Sequence, residues 1–332
     1  MVTSEKRDLS KMNTLSRNIA LDILKLVMAF IVIGLHTQFL HDFTKVGNFL
    51  TCNGVFRIAV PMFLLINGFY FYSFACEKKY IHWFKRVLFL YLFWMMVYSY
   101  FWWKPFEISL ETLLAILEIF LVGYLHLWYL AALLGAALIM IIVKKFSAKT
   151  LVAAILITFL SGTAIQYAGN YHIFDMPLLD RVANTKWVYR NFLFFAFPFF
   201  SIGFFINKYD VHKKISFELS LIVTVIGFIL VLGESYLNLL SPINDKDFDM
   251  LVSLLILCPI LFILFMNFEF KGGSKQFALY ASGVYFVHLI ILFAYRKFMH
   301  LNSIELTLAV IATSLFISFF LIKINSKLKF IL

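Results

Sequence analysis

Lys25 and His36 stand eleven residues apart in KLVMAFIVIGLH, a stretch with almost nothing polar between them. An ammonium placed in hydrocarbon costs about 2.5–3.5 kcal/mol on insertion scales, so Lys25 calls for a reason. An imidazole titrates near neutral pH and can take or return a proton. At about 100° per residue the interval comes within about 20° of three turns, so on a helix both side chains share one face, roughly 16 Å apart. Asp22 precedes Lys25 by three residues, the spacing at which a carboxylate neutralises an ammonium. Two readings of this stripe stand open. One is a structural ion pair with a histidine at headgroup level; the other is the lining of a cavity or pathway. Three polar groups on one face favour the second.

Other apolar stretches carry polar groups that topology brings to the level of His36. Arg57 opens RIAVPMFLLINGFYF (57–71), YLHLWYL (124–130) holds His126, Trp128 and Tyr129, and SGVYFVH (282–288) holds Tyr285 and His288. Either histidine could assist proton transfer or be a satisfied structural residue. Trp128 and Tyr129 alone would be aromatic-belt residues, and Arg57 alone could snorkel to headgroups. No HExxH spacing links the histidines, and no metal is expected. Cys52, Cys76 and Cys258 have no spacing that suggests a disulfide framework or a metal site.

The elements that must position these groups are membrane helices. Hydrophobic residues make up 62% of the 332, charged residues only 14%, and 41 are Phe, which excludes an ordinary soluble domain. Apolar runs of bilayer-spanning length recur throughout. We read about ten spans, at 18–39, 54–75, 84–103, 124–143, 150–168, 191–207, 217–237, 249–267, 277–294 and 304–323. The segment 109–123 carries Glu111 and Glu118 and reads as an amphipathic or re-entrant piece outside the bilayer core. With both termini cytoplasmic, 19 of the 29 Lys and Arg fall in inside segments and 8 outside, as the positive-inside rule requires. The net charge of +11 is then spread over loops that meet anionic headgroups, and nucleic acid is not needed to explain it. The expectation is an all-α integral membrane protein, residues 1–332 forming a single membrane domain. Residues 1–17 would be a cytoplasmic segment, without a cleavable signal, and 324–332 a cytoplasmic tail.

These stretches, in their order, resemble the acyltransferase-three family of integral membrane O-acyltransferases. The first span of that family reads Arg, then Leu-Asp, then a basic residue ahead of a His; here these are Arg17, Leu21-Asp22, Lys25 and His36. Its second span carries Arg, Val-Pro, aromatics and Ser-Gly, matched by Arg57, Val60-Pro61, Phe63 and Asn67-Gly68, with Asn in place of Ser. A His-Leu-Trp-aromatic-Leu element matches 126–130, and a Tyr-x-x-His element matches Tyr285 and His288.

The resemblance implies a stand-alone O-acetyltransferase of the O-antigen or enterobacterial common antigen type, in a bacterial inner membrane. Its donor would be acetyl-CoA and its acceptor a surface glycan or lipid-linked precursor. On this reading His36 takes the acceptor proton, Lys25 and Arg17 hold the polyanionic donor, and Arg57 relieves the oxyanion or orients the acceptor. Asp22, His126, Trp128, Tyr285 and His288 support them. The outer loop 171–191, with Asp175, Asp180, Arg181 and Trp187, reads either as groups that suit a sugar or as a plain solvated loop. The alternative is a transporter or flippase for a lipid-linked sugar or acyl group, using the same stripe as a pathway.

Overall fold

Twelve longer helices carry the fold of the computed structural model, which describes residues 18–76, 79–103, 109–243, 247–268, 270, 272, 274–328 and 330–332. Arg17 and the rest of the expected N-terminal segment lie outside the described residues. In chain order the helices are α1 (Ile19–Thr37), α2 (Lys45–Cys52), α3 (Ala59–Cys76), α4 (Tyr80–Val97), α5 (Leu110–Val122) and α6 (Trp128–Val143). They continue with α7 (Ala148–Asn170), α8 (Phe197–Lys208), α9 (Phe217–Leu240), α10 (Leu254–Met266), α11 (Gln276–Phe298) and α12 (Ser303–Leu328). Among the described residues, seven stretches are long and apolar enough to cross a membrane. They contain α1, α3, α6, α7, α9, α11 and α12.

Side chains set where helices begin. The Asn18 side chain accepts from the Ala20 N–H to start α1, and Ser147 and Ser216 cap α7 and α9 in the same way. Gln38 ends α1 in the left-handed region, at φ 58°.

α3 and α8 pack most closely at the centre. A side chain at Gly68 would run into the Phe200 carbonyl of α8, and one at Gly203 into the Leu65 carbonyl of α3. Glycine at both positions lets the two backbones touch, as small residues do between membrane helices. Gly68→Val is therefore expected to lower the thermal unfolding temperature in detergent, at a cost of about 1–3 kcal/mol for overpacking. An unchanged melting curve would contradict the packing described here. α11 lies against α1 and α12, and α1 meets α12 directly where the hydroxyls of Thr37 and Thr307 come within 2.6 Å. α9 and α12 leave most of their surface exposed, with Leu237 and Phe316 among the exposed residues, as lipid-facing helices do.

α5 has 13 residues, capped by Ser109 and ended at Gly123 with φ 89°, and none of them is buried. At 1.5 Å per residue it is roughly 20 Å long, short of the ~30 Å hydrocarbon core.

Two expected spans take another form. In 191–207 the helix opens with a π-turn, Phe192–Ala196, whose start is capped by the Asn191 side chain. In 249–267 the first residues are not helical, and α10 begins only at Leu254. The strap 247–253 bonds its N–H groups at 248–250, 252 and 253 to side chains, while the carbonyls of Leu251, Val252 and Ser253 accept from the first turn of α10. Gln166, fully buried on α7, accepts from the N–H groups of Asp249 (2.8 Å) and Met250 (2.9 Å) and donates to the Met250 carbonyl. Asn170 donates to the Asp247 carbonyl, and Asn53 accepts from the Phe248 N–H. Glu234 of α9 accepts from the N–H groups of Val252 and Ser253 and from the Ser253 hydroxyl. Irregular backbone is tolerated at membrane depth only where protein satisfies it, and this strap meets that condition. The apolar composition of 249–267 does not reveal the change from extended chain to helix. At the C-terminal end α12 runs on to Leu328, and Ile331 and Leu332 are buried, with Trp94 of α4 donating to the Ile331 carbonyl.

Candidate active site

α1 separates two polar places, as the spacing predicts. In its first turns Asp22 is buried and its carboxylate meets the Lys25 ammonium at 3.3 Å. The ammonium also lies over the Tyr70 ring, 5.4 Å from its centroid. His36 is in the last turn, half-buried, and its carbonyl accepts from Arg296 at 3.0 Å.

Around His36 the structure gathers the other histidines. The His36 ring lies 5.4 Å from that of His288, which lies 5.0 Å from that of His126. Tyr285 and Tyr98 flank His126 edge-on at 5.1 and 5.0 Å. A 3-10 turn, Leu125–Leu127, follows the break at Gly123 and carries His126 into the bundle ahead of α6. The Tyr285 hydroxyl donates to the His126 carbonyl at 2.6 Å. His288 Nδ1 is 2.6 Å from the Tyr285 carbonyl. A carbonyl only accepts, so Nδ1 carries the proton and Nε2 the lone pair. That Nε2 and both ring nitrogens of His126 are buried without a hydrogen-bond partner among the described residues. Buried polar atoms of this kind are uncommon and cluster where chemistry, water or a ligand completes them. The described residues include no group of three or more His, Cys, Asp or Glu that could hold a metal ion.

Asn67, which stands where the family resemblance expects Ser, donates to the Tyr129 hydroxyl at 2.8 Å and to the Phe63 carbonyl. Tyr129 in turn lies 5.8 Å from the Tyr285 ring. Asn67 thus braces the aromatic wall beside the histidines.

Arg57 is buried in a 3-10 turn, Val55–Ile58, and is engaged inward. Its Nη1 pairs with Asp249 Oδ1, and its Nη2 donates to Asn53 at 2.9 Å and lies 3.9 Å from Asp247. The other Asp249 oxygen accepts from Arg190 at 3.1 Å. The Arg190 guanidinium stacks over Trp128, 4.6 Å from the ring centroid. Arg190, Arg57 and Arg296 are among the charges whose fields act on His36, and Arg190 also acts on Tyr285.

The residues singled out by sequence therefore divide. His36, His126, His288 and Tyr285 come together, Trp128 and Arg57 are tied to one another through Arg190 and Asp249, and Asp22 and Lys25 form a separate place toward the other end of α1. Arg190, Asp249 and Gln166 join the site without a sequence expectation. Arg190 reads as one more outer-loop cation, and a lone carboxylate at the mouth of an apolar run is the one signal Asp249 gives. In the loop 171–191, Asp180 is occupied by His172 at 3.0 Å, and Trp187 is exposed.

A family model described as an acyltransferase domain matches residues 18–323. Among curated proteins the chain is similar to an amino-acid racemase of Enterococcus faecalis, 24% identical over 93% of this chain and 46% of that protein. It is also similar to a serine/alanine racemase of Enterococcus gallinarum, 26% identical over 75% of this chain and 37% of that protein. The chain thus spans less than half the length of these relatives. No solved structure matches it.

Proposed function

Because the chain belongs to the acyltransferase-three family of membrane acyltransferases, we propose that it moves an acetyl group from cytoplasmic acetyl-CoA to a hydroxyl of a bacterial surface glycan or its lipid-linked precursor. The observation that carries this reading is His36, a half-buried imidazole whose ring lies 5.4 Å from that of His288, itself 5.0 Å from that of His126.

His36 accepts the proton of the attacking hydroxyl as the new O–C bond forms. The C–S bond of the thioester then breaks, and the same proton passes to the leaving thiolate. Positive charge beside His36, assigned in the first instance to Arg57, relieves the oxyanion between these steps. Lys25, with Arg17, receives the donor at the inner end, and the pantetheine arm follows the Lys25–His36 stripe of α1 for roughly 16 Å. Ten spans with both ends cytoplasmic, in an inner membrane, provide that orientation. The acyl donor and the glycan are the substrates; no metal enters this reading.

The test is transfer of labelled acetyl from acetyl-CoA by purified protein in nanodiscs, with glycolipid extracts as acceptors. The curated relatives are named for amino-acid racemisation, and less than half of each is matched, so their activity is not carried over. L-serine nevertheless joins the acceptor panel, because its hydroxyl is a nucleophile of the same kind. Labelled acceptor supports the reading, and its absence across the panel removes it. Lys25→Ala is expected to raise KM for acetyl-CoA severalfold while leaving kcat nearly unchanged, because the removed contact binds ground and transition states alike. A fall in kcat at constant KM would move Lys25 out of the donor site. The second reading, translocation of a lipid-linked sugar, draws on the broken helix at 247–253, since interrupted membrane helices line transport sites. Flipping of a labelled glycolipid without acetyl transfer would favour it.

A further inference from the structure

Arg57 and Arg190 share one carboxylate, and an account of their donors separates their roles. A guanidinium has five N–H donors in a fixed fork. Arg57 spends both Nη groups on Asp249, Asn53 and Asp247, its Nε is buried without a partner, and its side chain is only 8% exposed. Arg190 makes one side-chain hydrogen bond among the described residues, through Nη1 to Asp249 Oδ2, and its side chain is 22% exposed. Its Nη2 and Nε donors are therefore uncommitted there. Its guanidinium carbon lies 4.6 Å from the centroid of the Trp128 ring, which backs the fork, and its charge is among those that act on His36 and Tyr285.

We infer that Arg190, rather than Arg57, donates the hydrogen bonds that stabilise the tetrahedral oxyanion, and that Arg57 and Asp249 form its anchor. This rests on the acyltransferase reading of the site. Arg190 is the catalytic residue of the pair, because its remaining donors are the ones a substrate oxygen can reach. Asp249 holds one edge of the fork and Trp128 supports its face, so both are positioning residues. Gln166 is a third, acting at one remove: it grips the backbone of Asp249 and Met250 from α7 and so sets where the shared carboxylate sits. Such preorganisation lets a donor meet developing charge without reorganising at the moment of reaction. No new covalent step is involved: as the hydroxyl adds to the thioester carbonyl, negative charge moves to that oxygen, and it leaves again when the C–S bond breaks.

The experiment compares wild type, Arg190→Ala and Arg190→Lys in nanodiscs, measuring kcat and KM for acetyl transfer from acetyl-CoA, with melting curves for each. Methylguanidinium is then added to the Ala variant. Arg190→Ala is expected to lose about 10²–10³-fold in kcat, the effect of deleting one oxyanion donor, with little change in KM or melting temperature. Methylguanidinium should restore part of the loss, and Arg190→Lys, which keeps the charge without the fork, should fall between. Turnover of Arg190→Ala within about twofold of wild type, well inside the loss expected for an oxyanion donor, overturns the assignment. So does a loss that follows a lower melting temperature and does not respond to methylguanidinium, which marks a structural residue. If wild type itself transfers nothing to any acceptor, the acyltransferase reading fails and the assignment falls with it.

Discussion

Replacing His36 with Ala is expected to lower kcat for acetyl transfer by about 10²–10⁴-fold, the range over which a positioned general base accelerates proton transfer. The side chain is half-buried in the last turn of α1 and makes no side-chain hydrogen bond among the described residues, so its loss should not unfold the helix. Acetyl-CoA binding should persist, because the Asp22–Lys25 place lies toward the opposite end of α1. His36→Ala with wild-type turnover would take the proton-transfer role away from this residue. His288 would be the next to examine, since its Nε2 lone pair is fixed by the Tyr285 carbonyl and has no partner among the described residues.

Asp249→Ala is the second change with a large expected effect. The carboxylate is buried and holds Arg57 on one oxygen and Arg190 on the other. Removing it leaves two guanidiniums near one another with only the half-exposed Asp247, 3.9 Å from Arg57, as a counter-charge, and breaking one partner of a buried pair costs about 3–5 kcal/mol. Thermal unfolding in detergent should register that loss. Turnover should fall as well, because the Arg190 fork loses the contact that aims it. Asp249→Asn separates the two consequences, since it keeps one acceptor oxygen and discards the charge. A variant Asp249→Ala as stable and as active as wild type would contradict both the pairing and its role.

Much of this arrangement is legible in the sequence, for physical reasons that also explain what is not. Helical periodicity places Lys25 and His36 on one face because both lie on a single unbroken helix. His126, Trp128, Tyr285 and His288 are visible because polar or aromatic groups in apolar runs are conspicuous. Arg190 is not visible in this way. It lies at the end of a polar loop, where cations are expected on topological grounds, and its partner Asp249 is 59 residues away. The clamp on the strap is hidden likewise: Gln166 binds Asp249 across 83 residues, a separation no local spacing can reveal. Composition also overstates helix length, since the apolar run from Met250 reads as helix yet the chain is irregular up to α10, with its amides satisfied from α7 and α9.

The side-chain grip on the strap has a mechanical consequence. Gln166 and Asn170 come from α7, Glu234 from α9 and Asn53 from the end of α2, and all four hold the same short piece of chain. The strap is therefore a cross-brace joining three helices at the end of the bundle where Arg190 and His36 sit. For these helices to slide or rock against one another, several buried hydrogen bonds would have to open together, each costing about 1–3 kcal/mol if left unmade. Alternating access by rocking of these helices is correspondingly disfavoured. This end of the protein is built as a stationary jig, its strap clamped by side chains from three helices at once.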